Sequence, residues 1–85
     1  MSSTPFSELN KKVVSTVDAK GMVCPLPLLK TKQGLNSLGV GECLEVLATD
    51  ATAVDDIRTF IGMTQHSLLY TECVDGVYLF IIQKF

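Results

Sequence analysis

A cysteine followed by two spaced prolines, Cys24-Pro25-Leu26-Pro27, is the part of this sequence best equipped for chemistry. A thiolate is a nucleophile, a leaving group and a metal ligand, so the neighbours of a cysteine decide which role it takes. The 85-residue chain holds three cysteines, Cys24, Cys43 and Cys73, and one histidine, His66. A structural zinc site needs four ligands, usually in close pairs. No Cys-x-x-Cys pair exists here, so neither a metal nor another cofactor is called for. An odd set of widely spaced cysteines does not read as a disulfide framework either, and free thiols are expected.

Cys24 is expected at a strand-to-helix junction, between Gly21 and the prolines. A cysteine at a helix N-terminus has its thiolate favoured by the dipole and the free N–H groups. Pro25 and Pro27 each lack an N–H, which leaves the amides of Leu26 and Leu28 in the first turn. Activation should therefore be moderate, and the main product of the prolines is rigidity. Pro25 also presses Cys24 toward extended backbone, as an N-cap needs, and Pro27 does the same to Leu26. The sequence leaves open whether the helix starts at Pro25 or Pro27. Asp18 and Asp50 should be near neighbours that oppose a thiolate, whereas Lys20, Lys30 and Lys32 would favour it. Cys-His catalysis needs an imidazole on the sulfur. His66 precedes a late strand, so no base is evident. The bland reading of Cys24 is a buried, inert small hydrophobe. For Cys43 and Cys73, within strands, packing is expected.

The elements that must position this thiol follow from periodicity. Lys12 to Asp18 is rich in β-branched residues and reads as a first strand. Asp18 to Val23 form the turn out of it, with Gly21 free to take positive φ. Pro25 to Leu38 reads as a helix with Leu28, Leu35 and Leu38 on its inner face. Gly34 within it suggests close packing on the sheet, and Gly39 a left-handed cap. Glu42 to Thr49 reads as a second strand, with Leu44, Val46 and Ala48 on one face and Cys43, Glu45 and Leu47 on the other. Thr52 and Asp55 resemble a capping box opening a second helix, with Val54, Ile57 and Ile61 inward and Gly62 as its stop. His66 to Val74 and Val77 to Lys84 read as strands joined by an Asp75-Gly76 hairpin turn.

The order β-α-β-α-β-β predicts an α/β (α+β) two-layer sandwich: a four-stranded mixed sheet with both helices on one face. The uncovered face should be more hydrophobic than a solvated face, and suited to self-association or a partner. Residues 1–11 are expected to be a flexible tail, and 12–85 a single domain.

Composition limits the rest. The net charge of −2 argues against direct nucleic-acid binding. There is no membrane-spanning run of about 18 apolar residues. The N-terminus does not read as a signal peptide, so a cytoplasmic location is expected. The chain is 47% hydrophobic, which argues against disorder.

The pattern Val17-Asp18-x-x-Gly21-x-x-Cys24-Pro25-x-Pro27-x-Leu29 resembles the Cys-Pro-x-Pro signature of the TusA/SirA-like sulfur-carrier family. The similarity continues through Gly41-Glu42-x-Leu44-x-Val46, Thr49-Asp50, Asp56-Ile57 and the final hairpin. The resemblance implies a two-layer sandwich in which Cys24 carries sulfur as a persulfide. It implies relay from a cysteine desulfurase or rhodanese to an acceptor protein, serving tRNA thiolation, sulfur oxidation or cofactor synthesis. Such a chain is a sulfurtransferase-like carrier rather than a self-contained enzyme. Pro25 and Pro27 would shape the site, with Gly21 and Asp18 supporting the approach turn. Two positions depart from the family pattern, Ala51 where a proline is common and Gln65 where a glycine is. Two other readings compete: an interaction or regulatory module docking through the open sheet face with Cys24 structural, and a thiol-redox protein working through an intermolecular disulfide.

Overall fold

The computed structural model describes residues 13–85. The expected tail, 1–11, and the first residue of the expected first strand lie outside the described residues. The elements are β1 (Val13–Ala19), α1 (Leu26–Asn36), β2 (Cys43–Ala48), α2 (Ala51–Gly62), β3 (Ser67–Val74) and β4 (Val77–Gln83). The four strands form one sheet in the order β1-β2-β4-β3. β1 and β2 are parallel, and β4 is antiparallel to both β2 and β3. This is the two-layer α+β arrangement expected.

Alternation along β2 fixes which face the helices take. Leu44, Val46 and Ala48 are buried in one cluster with Leu35 and Leu38 from the α1 side and with Val54, Ile57 and Ile61 of α2. Phe80 and Ile82 of β4 complete that cluster, because Phe80 pairs with Val46 and Ile82 with Leu44. α1 approaches closely at Gly34. A Cβ built there would lie 2.9 Å from Leu44 Cδ2 and 3.0 Å from Val17 Cγ2. The expected leucine face holds, with Leu35 and Leu38 in the core and Leu28 half-buried against it, and buried Pro27 and Thr31 widen the inward stripe of α1. The buried Thr31 hydroxyl donates to the Pro27 carbonyl at 2.8 Å, so burial leaves it satisfied.

The helix ends also differ. α1 stops at Asn36, and the left-handed glycine after it is Gly41 (φ 90°), not Gly39. α2 begins two residues earlier than a Thr52 cap would allow. Asp50 is extended at φ −92°, ψ 113°, and its Oδ1 accepts from the Thr52 amide at 3.0 Å. The hairpin turn takes the positive φ values a two-residue turn requires, 53° at Asp75 and 78° at Gly76.

The face away from the helices carries a second apolar cluster. Cys43 and Ile81 are fully buried there, with Val13, Leu69, Tyr70 and Leu79 packed against them. Cys43 therefore packs as expected, on the expected face.

Register decides which groups share an end of the sheet. Ala19 pairs with Ala48, Ala48 with Tyr78, and Tyr78 with Cys73. That row is the exit from both parallel strands, where functional groups collect in a β-α-β unit. Cys24 follows the β1 exit and Asp50 the β2 exit.

Candidate functional site

The Cys24 loop is held by the end of β2 rather than by α1. After β1, the Met22 amide donates to the Ala19 carbonyl at 3.1 Å, closing a turn in which Gly21 takes φ 80°. The Gly21 amide donates to Thr49 Oγ1 at 2.9 Å, and the Cys24 amide donates to Asp50 Oδ2 at 3.0 Å. Asp50 thus uses one oxygen on the Cys24 backbone and the other on the first turn of α2. Both bonds favour its ionised form and hold its carboxyl below the usual carboxylate range, the Cys24 amide contributing most.

α1 starts at Leu26, so neither proline opens it; Pro25 is its N-cap residue and Pro27 lies within the first turn. The Cys24–Pro25 peptide is cis. The Leu26 amide, counted as a free donor from the sequence, is taken by the Val23 carbonyl at 2.9 Å. Cys24 therefore lies just outside the helix, not at its cap, and loses the amide that would have favoured its thiolate.

The sulfur has a different partner. Cys24 is exposed, and its S–H donates to Asp56 Oδ2 at 2.8 Å, from the second turn of α2. That bond stabilises the protonated thiol. The hydrogen bond to Asp56 is the main influence, followed by desolvation and by the charges of Asp56 and Asp50, and together they push the Cys24 thiol above its ordinary value. The expected moderate activation is corrected: the carboxylates oppose ionisation, and none of the lysines is among the influences on the sulfur.

The other sequence-predicted residues are distributed unevenly. Asp50 meets Cys24 as expected. Asp18 does not: its Oδ1 accepts from the Lys20 amide at 3.1 Å, within the turn. Alternation places Asp18 opposite Val17, which packs into the helix-side core, so its side chain is on the other face of the sheet. Lys20 and Lys30 are exposed. Lys32 reaches across α2, with its Nζ 5.2 Å from the Phe60 ring centroid. His66 lies at the far end of the sheet, where its Nδ1 accepts from the Phe85 amide at 3.0 Å, so it is not a base for Cys24. Cys73 is exposed, against the packing role expected of it.

Asp56 is the residue the sequence reading missed as a site member. Its signal was its position beside Ile57 and three residues beyond Ala53, both buried, which places it at the margin of the inward stripe. Periodicity alone does not say which margin faces the Cys24 loop. Beyond Asp56, an open groove of about 360 Å³ runs between the helices, with Leu28, Lys32, Phe60 and Met63 in its walls. Val23, Leu26 and Leu29, close to Cys24 in the sequence, are also exposed.

Comparison with known proteins places this geometry. The family model described as "Sulfurtransferase TusA" matches residues 15–84. The chain belongs to the TusA family. A relative from Neisseria meningitidis is 41% identical over 68 residues, covering 80% of this chain and 92% of its own. The sulfur carrier protein TusA of Allochromatium vinosum is 38% identical over 68 residues, covering 80% of this chain and 90% of its own. The crystal structure of a SirA-like protein from Desulfitobacterium hafniense superimposes with a TM-score of 0.73 at 28% identity, covering 82% of this chain and 96% of that one. The Cys24-Pro25-Leu26-Pro27 run thus belongs to a TusA/SirA-like α+β domain. No helix among the described residues is long and apolar enough to cross a membrane.

Proposed function

We propose that this chain is a sulfur carrier in which Cys24 holds sulfane sulfur as a persulfide and passes it between proteins. In the accepting step the Cys24 thiolate attacks the outer sulfur of a donor persulfide. A new S–S bond forms as the donor's S–S bond breaks, and the donor leaves as a thiolate that takes up a proton. In the releasing step an acceptor nucleophile attacks the outer sulfur and Cys24 is the leaving group. No external oxidant is needed, because the sulfane sulfur moves at constant oxidation state.

The observation that carries this reading is an exposed thiol on a fixed backbone, with a carboxylate as its only side-chain hydrogen-bond partner among the described residues. A self-contained thiol enzyme needs a base that raises the thiolate fraction, and here the neighbours lower it. Such a thiol suits a carrier that exchanges sulfur inside complexes with other proteins. Pro25, Pro27 and Gly21 shape the loop, and Asp18 caps its turn. The partners are a donor such as a cysteine desulfurase or rhodanese and an acceptor protein, in the cytoplasm. The pathways served are tRNA thiolation, sulfur oxidation or cofactor synthesis.

The test is incubation with a cysteine desulfurase plus cysteine, or a rhodanese plus thiosulfate, read by intact mass. One added sulfur atom is expected, removed by reductant and absent in Cys24→Ser. No gain, or a gain retained in Cys24→Ser, overturns the reading. The competing docking module makes Cys24 structural, and its exposure argues against that. If the module reading held, Leu47→Asp on the open sheet face would abolish partner capture while Cys24→Ala would not.

A further inference from the structure

Asp56 has no structural duty that explains its place. Asp50, not Asp56, caps α2, and the only hydrogen bond of Asp56 among the described residues is the one it accepts from Cys24. It stands half-buried where the interhelical groove meets the thiol. The nearest cation in the groove wall, Lys32, lies over the Phe60 ring instead of pairing with it. Lys20 and Lys30 point into solvent. Asp50, the other carboxylate facing this loop, has both oxygens on backbone amides.

We propose that Asp56 is a positioning and selectivity residue for sulfur exchange at Cys24: it aims the S–H toward the groove mouth and favours reagents with positive charge beside their reacting sulfur. The proposal rests on Cys24 being the exchanging residue of the carrier reading. Its chemical consequence is that a protein exchanging sulfur with this chain presents a lysine or arginine next to its own reacting sulfur. An unpaired carboxylate in contact with the nucleophile repels an anionic reagent as it approaches and repels the thiolate that must form. A cation on the incoming partner relieves both.

Three small disulfides probe this without any partner protein: cationic cystamine, neutral bis(2-hydroxyethyl) disulfide and anionic 3,3′-dithiodipropionate. In each, the Cys24 thiolate attacks one sulfur, the Cys24–S–S–R bond forms, the old S–S bond breaks, and R–S⁻ departs and is protonated by water. Cys24 is oxidised and the departing half is reduced. Rates are read on the full chain by mass, with peptide mapping to separate Cys24 from the exposed Cys73.

Wild type should react faster with cystamine than with dithiodipropionate. That ratio should fall about fivefold or more in Asp56→Asn, be kept in Asp56→Glu, and collapse in wild type at about 1 M salt. The pH profile of alkylation by neutral iodoacetamide should move to lower pH in Asp56→Asn, a change that loss of packing alone does not produce. A ratio unchanged in Asp56→Asn, a salt-independent ratio in wild type, or a profile that stays put or moves up overturns the proposal. Asp56→Glu, which keeps the charge, separates loss of the carboxylate from loss of fold, and far-UV circular dichroism checks that each variant is folded under the assay conditions. Failure of sulfur loading from a desulfurase tests the carrier reading separately, since these probes need no relay.

Discussion

Gly34→Ala tests how tightly α1 is seated on the sheet, and with it the premise that the site is built on a rigid frame. In an exposed helix interior this change stabilises by up to about 1 kcal/mol, because glycine is the poorer helix former. Here the new methyl would sit 2.9 Å from Leu44 Cδ2, 3.1 Å from Leu44 Cδ1 and 3.0 Å from Val17 Cγ2. Leu44 is fully buried and Val17 is β-branched with little χ1 freedom, so neither neighbour can yield easily. Adding a methyl to a packed core costs about 1–3 kcal/mol. The net expectation is a loss of about 1 kcal/mol, and for a domain this small a fall in Tm of about 4–8 °C. The control is Gly62→Ala at the end of α2, where a Cβ meets nothing within 4 Å and the change should be neutral or stabilising. Urea unfolding followed by far-UV circular dichroism reads both, since the chain has no tryptophan. Cys24 alkylation in Gly34→Ala should stay near wild type, because the thiol loop hangs from Thr49 and Asp50. A Gly34→Ala protein as stable as Gly62→Ala would refute the close approach.

Two further outcomes follow from burial and charge. Titration of the native protein with an aromatic disulfide should modify Cys24 and Cys73, with Cys43 reacting only after unfolding, because it alone is buried; rapid reaction of Cys43 in native buffer would contradict the packing on the open sheet face. Asp50 has a folded-state pKa below its unfolded one, so its contribution is present above the ordinary carboxylate range and is lost as pH falls through the lower folded value. The acid limb of the stability curve should therefore flatten in Asp50→Asn, as measured by urea unfolding across pH 5 to about 2; an unchanged limb would mean that the amide bonds to Asp50 contribute nothing.

The elements were legible because each carried a periodic signal. The alternation of Leu44, Val46 and Ala48 in β2 and the spacing of Val54, Ile57 and Ile61 in α2 both placed the core correctly. The Asp75-Gly76 turn was legible because few sequences tolerate two consecutive positive φ values. What periodicity could not carry was geometry at the ends. The sequence put Cys24 at a helix cap, but one carbonyl, that of Val23, captures the Leu26 amide and shifts the helix start beyond it. Thr52 looked like a cap because its spacing to Asp55 fits a capping box, yet the extended Asp50 reached the Thr52 amide first. Asp18 was expected beside the thiol because it ends β1, but strand alternation turns it to the other face. Asp56 was invisible as a site residue because its contact with Cys24 spans 32 positions and depends on how two helices sit side by side.

The direction of the thiol's shift has a consequence for how a carrier would work. A thiol of higher pKa is ionised to a smaller extent but is intrinsically more nucleophilic once ionised, and it is a poorer leaving group. These trends act on opposite halves of a relay. In the accepting half, Cys24 is the nucleophile, and its low thiolate fraction is partly offset by its reactivity. In the releasing half, Cys24 must depart as a thiolate beside Asp56, which opposes the developing charge. On the carrier reading proposed above, the carboxylate would oppose both halves, loading through the thiolate fraction and release through the charge that develops on the departing sulfur. Release would then be faster where something neutralises Asp56, and Lys32, the lysine in the same groove wall, lies over the Phe60 ring instead. On the same reading, that charge would come from the acceptor, so the residue that opposes sulfur loss would also select the protein that receives it.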